Sequence, residues 1–141
     1  MMTIQELAEK SASITHTYQV TTELYSAFQT VSGDFNPLHT DFEFSTKKGF
    51  SGKVMYGNIL NAFISHFVGM LLPSQDVMIL SQDINFHKPV YLNDEITLKA
   101  SIDNVSEAVG YISYKLVFYR DKERVAKGHV QISVLEDKNE Q

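Results

Sequence analysis

Apolar and polar residues alternate along several separate runs of this chain, and one long apolar run breaks that rule. From Ser13 to Thr21, Ile14, His16, Tyr18 and Val20 fall on one side, with Thr15, Thr17, Gln19 and Thr21 on the other. That pattern predicts a half-buried strand. Later, Ile96, Leu98, Ala100 and Ile102 alternate with Thr97, Lys99, Ser101 and Asp103. Ile112, Tyr114, Leu116 and Phe118 alternate in the next run, and Ala126, Gly128, Val130, Ile132 and Val134 in the one after. Turns near Glu107 to Gly110 and at Asp121-Lys122 separate these runs, which predicts a three-stranded antiparallel meander. A further strand is expected over Val77 to His87, with Met78, Leu80, Ile84 and Phe86 as apolar members and a break in phase near Gln82. Pro89, followed by Asn93 and Asp94, marks a bend and a turn.

The run that does not alternate is Val54 to Leu72. Met55, Ile59, Leu60, Phe63, Ile64, Phe67, Val68 and Leu71 surround most of a helical circumference, so a helix buried on nearly all sides is expected. Asn58, Asn61, Ser65 and His66 interrupt its middle, which argues against a membrane span. Asn58, Asn61 and Ser65 share one face. Buried polar groups need partners, which are either protein groups across a dimer interface or the contents of a polar site. A second helix is expected from Thr22 to Val31, with Leu24, Ala27, Phe28 and Val31 as its apolar face and Gly33 as its terminator. Met1 to Ser11 is either a short helix or a loose end. One long buried helix against an antiparallel sheet is α+β.

The 141 residues suit a single domain spanning 1–141, able to bury about 70% of its unfolded surface. A net charge of -5 argues against nucleic acid as the main partner. With no cysteine there is neither a disulfide framework nor thiolate chemistry, which fits a reducing, cytoplasmic setting. The polar N-terminus carries Glu6 and Glu9 and is no secretory signal. His16, His66, His87 and His129 are too scattered for a metal site, and His66 is expected in the core or an interface.

The chemistry concentrates in Ser32-Gly33-Asp34-Phe35-Asn36-Pro37-Leu38-His39-Thr40-Asp41. Pro37 suits the first position of a helix and Asn36 its cap, so Asp34 is placed in a loop and His39 in the first turn of a helix from Leu38 to Lys47. The turn can aim a carboxylate and an imidazole at one water, dividing general acid from general base. On chemistry alone, these are equally well ordinary turn residues and a surface histidine. The following Lys47 to Lys53 segment, with Gly49 and Gly52, is a solvated connector or a lip that meets the phosphates of a thioester carrier.

Ser32, Gly33, Asp34, Asn36, Pro37, His39 and Asp41, followed by a glycine-containing start to an apolar helix, resemble the motif of the MaoC-like dehydratase family. That family includes the (R)-specific enoyl-CoA hydratases. Phe86, Pro89, Val90 and Asp94 resemble the family's segment after its central helix, although glycine usually stands where this chain has Asn93. The resemblance covers about residues 15 to 135. It implies a hotdog fold, in which a curved antiparallel sheet wraps a long helix. It also implies reversible addition of water to a trans-2-enoyl thioester carried by coenzyme A or an acyl carrier protein, with no other cofactor, in a homodimer or higher oligomer.

Carried over residue by residue, the resemblance makes Asp34 and His39 the catalytic pair and the Gly57 N–H the oxyanion donor. Ser65 is expected to position substrate or pair, and Asn36 to cap and orient the loop. Tyr56 stands where relatives commonly have histidine, and Asn58 where an apolar residue is usual. Both are expected to alter the pocket wall. A thioesterase on the same fold and a non-catalytic acyl-thioester-binding module are the alternative functions.

Overall fold

The alternating runs form one sheet. The computed structural model describes residues 1–138; the last three positions of the expected 1–141 domain lie outside the described residues. Strands β1 (Ser13–Gln19), β2 (Val77–Phe86), β3 (Glu95–Ser106), β4 (Tyr111–Arg120) and β5 (Glu123–Val134) pair in the order β1-β3-β4-β5-β2, every pair antiparallel. Ile96, Leu98, Ile112, Tyr114, Leu116, Phe118, Val130 and Ile132 point inward and are buried, as their period of two requires. The N-terminus is ordered as helix α1 (Ile4–Lys10), capped by Thr3 and anchored by buried Leu7. Buried Ser11 follows it, bonded to Tyr114 Oη at 2.7 Å.

Strand β2 departs from the expected pattern. Its register shifts between Ile79 and Ser81, so Leu80 is the extra residue of a bulge. Met78 and Leu80 are half or more exposed and Ile79 faces the core instead; beyond the bulge Ile84 faces the core as expected, while Phe86 is half exposed. Gly128 of β5 lies where a Cβ would collide with the Asp83 carbonyl oxygen, so the close approach of β2 and β5 requires glycine there.

The central helix is shorter than its apolar run. Helix α5 spans Ile59–His66 and continues as a π-helical turn, Phe67–Leu71. The first five residues of the run are not helical: Met55 N–H donates to Val90 O at 2.7 Å, and Val54 bridges Tyr91. These pairings, distant in sequence, capture backbone groups that a helix would use. Residues 56–61 then wind in through three i→i+3 bonds, from Ile59, Leu60 and Asn61 to the carbonyls of Tyr56, Gly57 and Asn58. Ile59, Leu60, Phe63, Ile64, Phe67 and Val68 are buried against the sheet. The helix is nevertheless not enclosed on all sides. Asn58, Ala62 and Ser65 are exposed and Asn61 is half-buried, so the polar stripe marks an open face. No helix among the described residues is long and apolar enough to cross a membrane.

Before α5 come α2 (Thr22–Ser32), α3 (Pro37–Thr40) and α4 (Phe42–Lys47). The single helix expected from Leu38 to Lys47 is therefore two. Asp41 interrupts it with extended backbone and caps α4 by accepting from Phe44 N–H at 3.2 Å. The inward face of α2 is Tyr25, Phe28 and Gln29, while Ala27 and Val31, expected on it, are exposed.

Candidate active site

A chain of side-chain-to-backbone bonds winds the loop that holds Asp34. Helix α2 ends at Gly33, whose φ of 67° needs glycine's freedom. Ser32 Oγ accepts from Asp34 N–H at 3.1 Å, Asp34 Oδ1 from Asn36 N–H at 3.0 Å, and Asn36 Oδ1 from Leu38 N–H at 2.9 Å. Each is a local turn contact that short polar side chains make readily. Together they tie one carboxylate oxygen of Asp34 to the loop and leave Oδ2 facing His39 Nε2 at 3.8 Å. That separation is too long for a direct hydrogen bond and leaves a water able to meet both atoms.

His39 sits in α3, its side chain 15% exposed against 44% for Asp34. Its Nδ1 lies 2.7 Å from Val54 O. A carbonyl only accepts, so Nδ1 carries a proton, and in the neutral tautomer this selects, Nε2 is the bare nitrogen and faces Asp34. The backbone around His39 is tied to the same residue, because Val54 N–H donates to Leu38 O at 3.1 Å. Tyr25 Oη donates to His39 O at 2.5 Å and lies 3.2 Å from Val54 O. Burial pushes the Tyr25 phenol up to about 12, with the Tyr56 phenol and the Asp34 carboxylate adding to the shift.

A cavity of about 320 Å³ opens on the His39 side of this pair. Val54, Met55, Leu60 and Phe86 give it apolar walls, His39 and Gly57 border it, and Lys88 adds a cation. Its size and character suit an acyl chain with a few polar anchors. Among the described residues no acceptor reaches the Gly57 N–H. Glycine at 57 also has a packing reason, since a Cβ there would lie 3.0 Å from the Phe86 ring. Phe50, from the glycine-punctuated lip, reaches the cavity; Lys47 pairs instead with Glu43 at 3.0 Å, and Lys53 borders a second, polar cavity that also touches His39.

The opposite wall is fixed from the far end of the sheet. Arg120 donates to Pro89 O and to Asp94 Oδ2, both at 2.9 Å, and to Glu123 at 2.8 Å. Burial works against the Arg120 charge, but its bonds to Asp94 and Glu123 outweigh that and hold its pKa above the ordinary value. Asn93, in the same turn, has a φ of 73°. Asparagine tolerates that region, as glycine does, which accounts for the departure from the usual glycine.

Tyr56 and Asn58, expected to alter the pocket wall, and Ser65, expected to position substrate or pair, lie away from the apolar cavity. Tyr56 is 2% exposed and sits behind His39, its ring stacked on the imidazole at 4.2 Å. Asn58 and Ser65 are exposed on the open face of α5, where Asn58 Oδ1 accepts from Asn61 Nδ2 at 2.8 Å. Neither lines a cavity beside His39. Asn36 does cap α3. His66 is half-buried, its Nδ1 2.8 Å from Tyr18 Oη. Among the described residues no cluster of His, Cys, Asp and Glu could hold a metal. Tyr25 and Gln29 are the residues that sequence reasoning missed. Their i, i+4 spacing with Phe28 between them was the available signal.

The family profile of the MaoC-like domain matches residues 4–117. Over 82 residues the chain is 33% identical to an (R)-specific enoyl-CoA hydratase of Aeromonas caviae, covering 58% of this chain and 61% of that protein. Over 70 residues it is 34% identical to a mitochondrial 3-hydroxyacyl-[acyl-carrier-protein] dehydratase of Arabidopsis thaliana, covering 50% of this chain and 41% of that one. The matches thus span less than two thirds of either relative. Among solved structures, the (R)-hydratase from A. caviae involved in PHA biosynthesis superimposes with a TM-score of 0.80 at 23% identity, over 86% of this chain and 93% of that one. An R-hydratase from Pseudomonas aeruginosa gives 0.79 at 22%, over 89% and 81%. The fold is the expected hotdog, and the chain belongs to the MaoC-like domain family.

Proposed function

We propose that this protein adds water to trans-2-enoyl thioesters with (R) stereochemistry, or dehydrates the corresponding 3-hydroxyacyl thioesters. One observation carries the reading: Asp34 Oδ2 stands 3.8 Å from Nε2 of His39, which borders an apolar cavity together with Gly57. The matched relatives carry hydratase and dehydratase names, which supports the same chemistry. A water bonded to both atoms is activated by transfer of its proton to the pair, and its oxygen bonds to C3. The electron pair of the C2–C3 double bond moves toward the thioester carbonyl, whose oxygen gains charge beside the Gly57 N–H. The held proton is then delivered to C2, so the balance is one water added across the double bond. The pair needs no cofactor beyond the carrier of the thioester, either coenzyme A or an acyl carrier protein. A cysteine-free chain suits a reducing cytoplasm.

The protein works as a homodimer or larger homo-oligomer in this reading. Edge strand β2 exposes Met78, Leu80 and Phe86 beside the open face of α5 and exposed Met70. An unpaired edge flanked by large apolar side chains suits a second copy. Sedimentation giving an active monomer would refute that part.

The deciding experiment follows crotonyl-CoA by loss of its enone absorbance beside a free-thiol assay. Hydration without thiol release is expected. Thiol release would make the protein a thioesterase, and binding without turnover a non-catalytic acyl-thioester-binding module.

A further inference from the structure

We infer that Gln29 and Tyr56 form a polarised brace that sets the geometry of the Asp34–His39 pair, with Gln29 fixing the direction in which the Tyr56 hydroxyl points. This rests on the reading of Asp34 and His39 as the working pair. Tyr56 Oη lies 2.6 Å from the backbone carbonyl of Asp34, and Gln29 Nε2 lies 3.1 Å from Tyr56 Oη. The Asp34 carbonyl can only accept, so the single phenol proton points to it. The phenol oxygen must then accept from Gln29, which places the amide nitrogen, not the amide oxygen, toward Tyr56.

The same tyrosine touches the other member of the pair. Its ring stacks on the His39 imidazole with centroids 4.2 Å apart and planes 27° from parallel. Tyr25 and Phe28 hold that ring from the far side, each with its centroid 5.1 Å away. One buried side chain therefore contacts both residues of the pair, one through its hydroxyl and the other through its face. It is 2% exposed, enclosed between His39, Tyr25 and Phe28, and so acts as a positioning residue. Gln29 is half-buried on α2 and borders the polar cavity, so it can be changed without opening the core.

The brace has a direction, and that separates it from simple space filling. Gln29→Met keeps the bulk and removes the donor, leaving the phenol proton on Asp34. Gln29→Glu keeps the shape almost unchanged but supplies an acceptor, which competes for that proton and releases the Asp34 carbonyl. If Gln29 only filled space, the isosteric glutamate would be the milder change. The brace requires it to be the worse one.

Crotonyl-CoA hydration would be measured for both Gln29 variants and for Tyr56→Phe, with amide hydrogen exchange at Asn36 followed in the same proteins. For Tyr56→Phe and Gln29→Glu, kcat should fall by about tenfold, the upper end for one hydrogen bond. Gln29→Met should lose about threefold, and KM should stay within about twofold throughout because none of these groups meets substrate. The Asn36 amide, bonded to Asp34 Oδ1, should exchange fastest in Gln29→Glu, then in Gln29→Met, then in the wild type. That exchange also answers the possibility that the new charge acts on the chemistry alone, since a charge effect would leave the loop closed. A milder effect in Gln29→Glu than in Gln29→Met, a loss confined to KM, or unchanged Asn36 exchange in Gln29→Glu would overturn the brace. A wild type that hydrates no enoyl thioester would refute the proposed activity, while the order of exchange rates would still test the brace.

Discussion

The imidazole of His39 donates through Nδ1 to the carbonyl oxygen of Val54, 2.7 Å away, although the two residues lie on opposite sides of the lysine-rich loop. This bond fixes which ring nitrogen is available for chemistry, because the acceptor is a backbone atom that no side-chain change can remove. In neutral protein, nitrogen-15 NMR should find His39 as the Nδ1–H tautomer. An Nε2–H tautomer would mean that Nε2 cannot accept a proton from water and that the pair divides its work differently.

Asp34→Asn and His39→Ala should each lower crotonyl-CoA turnover by about 100-fold or more, the usual worth of a general acid–base group. Asp34 is 44% exposed, so Asp34→Asn should unfold close to the wild-type temperature, whereas His39→Ala loses the Val54 bond and the stacking on Tyr56 and should unfold somewhat lower while remaining folded. Near-normal turnover in either variant would remove that residue from the working pair.

The Tyr25 phenol gives an alkaline prediction. Its pKa rises from 10.0 to about 12 in the folded protein. Between those values the unfolded chain has released the proton while the folded one still holds it. Stability from this group is therefore complete below pH 10 and declines as pH rises toward 12. Tyr18, also raised to about 12, adds to the same decline. Denaturant titrations over this range should show a shallower fall in Tyr25→Phe than in the wild type. Equal slopes would mean that Tyr25 does not retain its proton on folding.

Asn93 tests the turn behind the cavity. Its side chain is exposed and its φ is 73°. Asn93→Gly should change stability by less than about 0.5 kcal/mol, whereas Asn93→Val should cost about 1–2 kcal/mol for a β-branched residue in left-handed backbone. The valine variant should also raise KM, because Arg120 joins this turn to Pro89 in the cavity wall. Equal stability of the two variants would show that the turn relaxes to another conformation.

Sequence periodicity predicted β1 and the meander well because each residue's face there depends only on its own strand. The Asn36-Pro37 cap was equally legible, being made by adjacent residues. What escaped depended on partners distant in sequence. Val54 and Met55 are as apolar as the helix that follows, and only Tyr91 and Val90, beyond β2, take them out of it. The stripe of Asn58, Asn61 and Ser65 was visible, but periodicity does not say whether a face is covered. Tyr56 was read from its position in a motif as part of a pocket wall. Its actual place follows from Gln29 and the backbone carbonyl of Asp34, partners 27 and 22 residues away that spacing alone does not pair with it.

The sheet order carries a further consequence for how the molecule assembles. Strand β1 lies at one edge and β2 at the other, so the chain between them passes from edge to edge and carries both the Asp34–His39 pair and Gly57. No residue lining the apolar cavity comes from β3, β4 or β5. Those three strands close on each other through short turns, whereas β1 must find β3 across most of the chain, with Gln19 opposite Glu95. Contacts between near neighbours in sequence form faster than those that close long loops. Contact order therefore favours pairing of the meander first, with the crossing that carries Asp34, His39 and Gly57 ordering on it afterwards.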